Sequence, residues 1–133
     1  MAPPRMRSPM RSPLGRAIGL GSAKEGVEHW WAQRISALAL VPLTVWFVVA
    51  IIGLAGADHA LFVAWVRDPM AAILLVLLLV ATFYHGALGL QVVIEDYVEN
   101  ETLRFGLLIV MRLAAIVFAA RGIFAVLQLS LGA

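Results

Sequence analysis

The chain has 133 residues, of which 62% are apolar and only 14% charged, with a formal net charge of +2. A soluble domain carries about 25% charged residues, and a single domain of this length cannot hide so much apolar surface in a core of its own. Lipid takes the excess, which excludes a water-soluble enzyme. The sequence contains no cysteine, which excludes disulfides, zinc–thiolate sites and thiolate-held iron–sulfur clusters.

Residues 1–26 are rich in Pro, Arg, Ser and Gly and hold Arg5, Arg7, Arg11, Arg16 and Lys24, with Glu25 the first acid. They read as a flexible basic tail ahead of a three-helix transmembrane domain at 27–133. A run of basic residues before the first span is a positive-inside topology signal. Its Arg and Ser content and scarcity of acids also fit a mitochondrial presequence. A secretory signal cleaved after Ala55-Gly56-Ala57 does not fit, because the apolar run ahead of that site, about 20 residues, exceeds the usual h-region of about 7–15.

The first span is expected at about 35–54, since about 20 residues at 1.5 Å rise cross a core of about 30 Å. Trp30 and Trp31 precede it, where indoles favour the headgroup layer, and Pro42 inside it predicts a kink. A loop at 55–69 follows, with an apolar middle at 60–66 suited to lying along the interface. The second span is expected at about 70–97. Its first half is uniformly apolar, whereas Tyr84, His85, Gly86, Gly89 and Gln91 interrupt the second half and Glu95-Asp96-Tyr97 close it. A short acidic turn leads to the third span, about 103–129, which contains Arg112 and Arg121. Basic residues favour the cytoplasmic side, so the reading is an all-α integral membrane protein with three transmembrane helices, N-terminus cytoplasmic and C-terminus periplasmic.

Several residues are costly for a helix that only faces lipid. His85 lies about 18 Å along the axis from Tyr97. An ionisable group at such depth is usually buried and functional, and a neutral imidazole suits haem iron. A histidine hydrogen-bonded to a neighbouring helix is an equally good reading of the residue alone. Gly89 lies one turn away on the same face, where the missing side chain admits either a flat macrocycle or a second helix. His29 and His59 fall at or beyond the membrane edges, so a second axial ligand would have to come from another subunit.

Asp96 and Tyr97 stand where a phenol could donate to a quinone carbonyl with a carboxylate beside it, or where an aromatic anchor meets a solvated acid. Arg34, with Ser36, opens the first span. Such an Arg pairs with a propionate, polarises a quinone oxygen, or snorkels. Arg112 within the third span costs about 2.5–3.5 kcal/mol on insertion scales and requires a partner, a propionate or water; Arg121 lies nearer the outer end, within reach of snorkelling.

The string HGALGLQVVIEDYV at residues 85–98 resembles the second transmembrane helix of the small hydrophobic membrane-anchor subunit of succinate dehydrogenase, respiratory complex II. In that family a histidine is followed by glycine four residues later and by Asp-Tyr at eleven and twelve, which here are His85, Gly89, Asp96 and Tyr97. The stretch HWWAQRISALALVPL at residues 29–43 resembles the family's first-helix entry in alphaproteobacterial members. The resemblance implies His85 as an axial ligand of haem b, with Gly89 on the haem face. It implies Tyr97, Asp96 and Ser36 at a ubiquinone site, and Arg34 near the propionates or the quinone.

The implied function is that of a non-dehydrogenase subunit of succinate:quinone oxidoreductase. FAD and the iron–sulfur clusters would lie in a flavoprotein subunit and an iron–sulfur subunit. The haem would be shared with a second, cytochrome b-type anchor subunit, and no nucleic acid would be bound. The location implied is the bacterial inner membrane, with the mitochondrial inner membrane as the alternative. A cofactor-free structural or assembly protein, or the haem-binding anchor of another respiratory complex, are the competing readings.

Overall fold

The computed structural model describes residues 24–132. Most of the basic tail, residues 1–23, lies outside the described residues. Four helices follow in chain order: α1 (Lys24–Gly53), α2 (His59–Arg67), α3 (Pro69–Tyr97) and α4 (Glu101–Leu131). α1, α3 and α4 are long and apolar enough to cross a membrane, as the sequence predicts. At 30 residues, α1 is about 45 Å long. It is already helical at Lys24 and runs unbroken through Pro42. Its first turns therefore outlast an apolar core of about 30 Å. They carry the polar–aromatic entry, where Trp30 and Trp31 meet edge-on at 5.1 Å.

The helix boundaries follow from local chemistry. Asp58 caps α2 by accepting from the Leu61 N–H at 2.8 Å. Asp68 both ends α2, its own N–H donating to the Trp65 carbonyl, and caps α3 through the Ala71 N–H at 2.9 Å. Pro69 then takes the first helical position, where its missing N–H costs nothing. Asn100 caps α4 through the Leu103 N–H at 3.0 Å, and Gly132 closes it in the left-handed region at φ 74°, which glycine adopts without a Cβ penalty.

α3 is the central helix: α1 packs on one side of it and α4 on the other, while α1 and α4 do not approach each other. The apolar middle of the expected loop is the helix α2, which folds back onto α3 and α4. Its Val66 is buried, as are Ala71 and Ala72 of α3, and Trp65 stacks on Trp46 of α1 at 5.9 Å. Between α1, α2, α3 and α4 at this end lies an apolar cavity of about 390 Å³ lined by Phe47, Trp65, Val66, Leu75 and Gly122 among others. Elsewhere large apolar side chains point outward, including Leu38, Val49, Phe105 and Val117. Such a surface suits lipid and partner helices.

Candidate functional site

The polar residues of α3 sort onto two sides, one toward α1 and one toward α4. On the α1 side, His85 Nδ1 lies 2.9 Å from the Ser36 hydroxyl oxygen. That hydroxyl also donates to the Gln33 carbonyl one turn back, at 3.1 Å, a bond that serine makes readily inside a helix. Ser36 is the one buried polar residue among the described residues, at 6% exposure. A buried hydroxyl must find partners, and this one has two. His85 Nε2 has no partner among the described residues and is not enclosed.

One turn along α3, a Cβ at Gly89 would lie 3.8 Å from the Gln33 side-chain nitrogen of α1. The room that glycine leaves is therefore shared with a neighbouring helix. Further along the same stripe of α1, His29 Nε2 and Gln33 Oε1 are enclosed with no hydrogen-bond partner among the described residues. His29, Gln33 and Ser36 stand at i, i+4 and i+7, one face of a helix. Gln33 is not singled out by residue type, and its only signal in the sequence is the polar stripe at that spacing in an apolar helix.

On the α4 side, Arg112 donates to Gln91 Oε1 at 2.9 Å, and Gln91 donates to Glu95 Oε1 at 2.8 Å. The expected partner of Arg112 is thus an amide of the same chain, which links the guanidinium to a carboxylate near the end of α3. This string edges an apolar groove of about 380 Å³ between α3 and α4, flanked by Phe83, Tyr84, Leu88 and Ile116. Neither Gln91 nor Glu95 stood out as a functional residue by itself, since their meaning depends on a helix that returns alongside them. Arg121 makes no hydrogen bond among the described residues.

The remaining candidates gather at the end where α1 begins and α3 finishes. Arg34 holds its guanidinium 5.2 Å from the centre of the Trp30 ring, a cation–π contact. Asp96 and Tyr97 are exposed, Tyr97 at 82%. Ser36, which the resemblance assigns to the quinone site, stands against His85. His29 is on α1 and His59 opens α2 at the opposite end. Among the described residues no group of three or more His, Asp or Glu side chains could hold a metal ion. Of the three histidines only His85 lies well inside a span, and its unpartnered Nε2 is a donor whose chemistry suits a haem iron.

A three-span helical protein with a tethered histidine on its central helix, and with polar residues crowded at one end, is an integral membrane subunit built to be completed by partners. The family model for the succinate dehydrogenase/fumarate reductase transmembrane subunit matches residues 8–120. The succinate dehydrogenase hydrophobic membrane anchor subunit of Rickettsia bellii is 34% identical over 116 residues, 87% of this chain and 93% of the relative. That of Paracoccus denitrificans is 31% identical over 130 residues, 92% and 94% of the two chains. The succinate dehydrogenase membrane anchor subunit of Reclinomonas americana is 28% identical over 104 residues, 70% of this chain and 80% of the relative. No solved structure matches. The chain belongs to the succinate dehydrogenase/fumarate reductase transmembrane subunit family, among its hydrophobic membrane anchors.

Proposed function

We propose that this chain anchors a succinate-oxidising, quinone-reducing complex in the membrane and supplies one axial ligand of a haem b. The observation that carries the haem reading is the state of His85. Its Nδ1 is held by Ser36 while Nε2 is not enclosed and has no partner among the described residues. When bound, the haem supplies a one-electron redox centre. The protein's part would be to hold the His85 imidazole at a fixed angle within the membrane, with a second anchor subunit supplying any further ligand.

Tyr97 and Asp96 form the chain's share of a ubiquinone site. The phenol donates to a quinone carbonyl without adding charge, and the carboxylate beside it orients it or passes protons. Arg34, steadied on Trp30, keeps the edge of its guanidinium free for a propionate or a quinone oxygen. Tyr97 lies about 18 Å along α3 from His85, so the two serve separate ligands. With the N-terminus cytoplasmic and the C-terminus periplasmic in a bacterial inner membrane, the Tyr97 end faces the cytoplasm, where an iron–sulfur subunit would dock below a flavoprotein subunit. FAD and the clusters belong to those partners, because this chain has no cysteine and no dinucleotide-binding glycine motif.

The test is purification through this chain in mild detergent. A flavoprotein, an iron–sulfur protein and a second anchor should accompany it, with succinate-dependent quinone reduction and a b-type spectrum. A stable, monodisperse monomer would refute the assembly, and a complete complex without haem would leave His85 as a helix-packing residue.

A further inference from the structure

The geometry points to Ser36 as a positioning residue for the haem ligand: its hydroxyl, by accepting from His85 Nδ1–H, fixes the tautomer that leaves Nε2 as the metal-binding lone pair. The inference rests on the haem reading above and adds a role for Ser36 that the quinone-site assignment does not contain. A serine hydroxyl has one hydrogen and two lone pairs, and a neutral imidazole has one N–H. Ser36 places its hydrogen on the Gln33 carbonyl at 3.1 Å. The 2.9 Å contact with His85 Nδ1 can then be a hydrogen bond only if Nδ1 carries the proton. The opposite tautomer would leave two lone pairs facing each other, or force Ser36 to abandon the carbonyl. In a place where Ser36 is buried, the arrangement that keeps both bonds prevails.

Two consequences follow. The ring is held by α1 although it is carried by α3, so the direction of Nε2 depends on the α1–α3 seam. Haem-ligating histidines commonly donate their other N–H to an acceptor, which orients the ring and raises its basicity. Here the acceptor is a side chain of the same subunit, backed by a helix carbonyl. Gly89, one turn further along α3, faces the Gln33 side chain of the same α1 segment, 3.8 Å from where a Cβ would stand.

The test uses the intact complex with Ser36→Thr, Ser36→Val and Ser36→Ala. Threonine and valine have nearly the same shape and differ by the hydroxyl. Haem content, the low-spin electron paramagnetic resonance signal and the haem midpoint potential are read on each, with dye-linked succinate oxidation as the assembly control. The threonine variant should match the wild type. The valine and alanine variants should keep the haem and the dye-linked activity, yet show a displaced low-spin signal and a more positive potential, because a less basic imidazole stabilises the ferric state less. Unchanged signal and potential in valine and alanine would overturn the proposal. So would a complex lost in valine but normal in threonine, which would make the hydroxyl a packing group. Absence of haem from the wild-type complex would overturn the haem reading itself, a result that no Ser36 variant could produce.

Discussion

Breaking the Arg112–Gln91 pair is the sharpest perturbation of the α3–α4 side. Arg112 sits within a membrane span and its only hydrogen bond among the described residues goes to Gln91 Oε1, at 2.9 Å. A hydrogen bond to a charged group contributes about 1.5–3 kcal/mol in soluble proteins. Within membranes the unfolded reference finds substitute partners, and measured couplings average about 0.6 with a maximum of about 1.7 kcal/mol. The coupling expected here is about 1 kcal/mol, since the guanidinium is charged but lies on an open groove. Gln91→Leu should destabilise the complex by about that coupling, which already contains the cost of stranding Arg112 and is bounded by about 2.5–3.5 kcal/mol. Arg112→Leu should be milder, and in its presence Gln91→Leu should cost little further. The assay is a double-mutant cycle of Gln91→Leu and Arg112→Leu, read as resistance of the purified complex to dodecyl sulfate. Additivity within about 0.3–0.5 kcal/mol would show that the pair does not form in the membrane and would refute the reasoning.

Tyr97→Phe removes one hydroxyl from an exposed ring and should cost about 0.5–1.5 kcal/mol of quinone interaction. Succinate–quinone reductase activity should fall while dye-linked succinate oxidation and the haem spectrum persist, both measured on one preparation. Gly122 faces Leu79 across α3–α4, and a Cβ there would meet both Leu79 methyl groups at 3.2 Å. Gly122→Leu should therefore cost about 1–3 kcal/mol by overpacking, seen as a lower detergent-denaturation midpoint, with Gly122→Ala much milder because the leucine tip can give.

The spans were legible because uninterrupted apolar runs are the strongest signal a sequence carries, and Asp68-Pro69 and Asn100 mark two helix starts by ordinary capping chemistry. The early start of α1 was not, because its first turns are polar and aromatic and show no apolar run. α2 read as a loop for a related reason: nine residues are too few for periodicity to separate a short helix from an interfacial segment. His85 stands out by its depth in an apolar helix, whereas Gly89, Asp96 and Tyr97 gain meaning as a set only through the resemblance of their spacing to the anchor family. The partners of His85 and Arg112 do not stand out, since the contacts with Ser36 and Gln91 join residues on different helices. Which of two polar stripes on α3 meets α1 and which meets α4 is decided by packing, and no periodicity within α3 alone can show it.

The central claim is that His85 ligates a haem b inside a membrane anchor. The direct measurement is the reduced-minus-oxidised spectrum and the electron paramagnetic resonance signal of the intact complex carrying His85→Leu, beside the wild type at equal anchor content. The account requires that the variant lose the haem or convert it from low to high spin while the dehydrogenase partners remain attached. An unchanged low-spin b-type spectrum in the His85→Leu complex would contradict it.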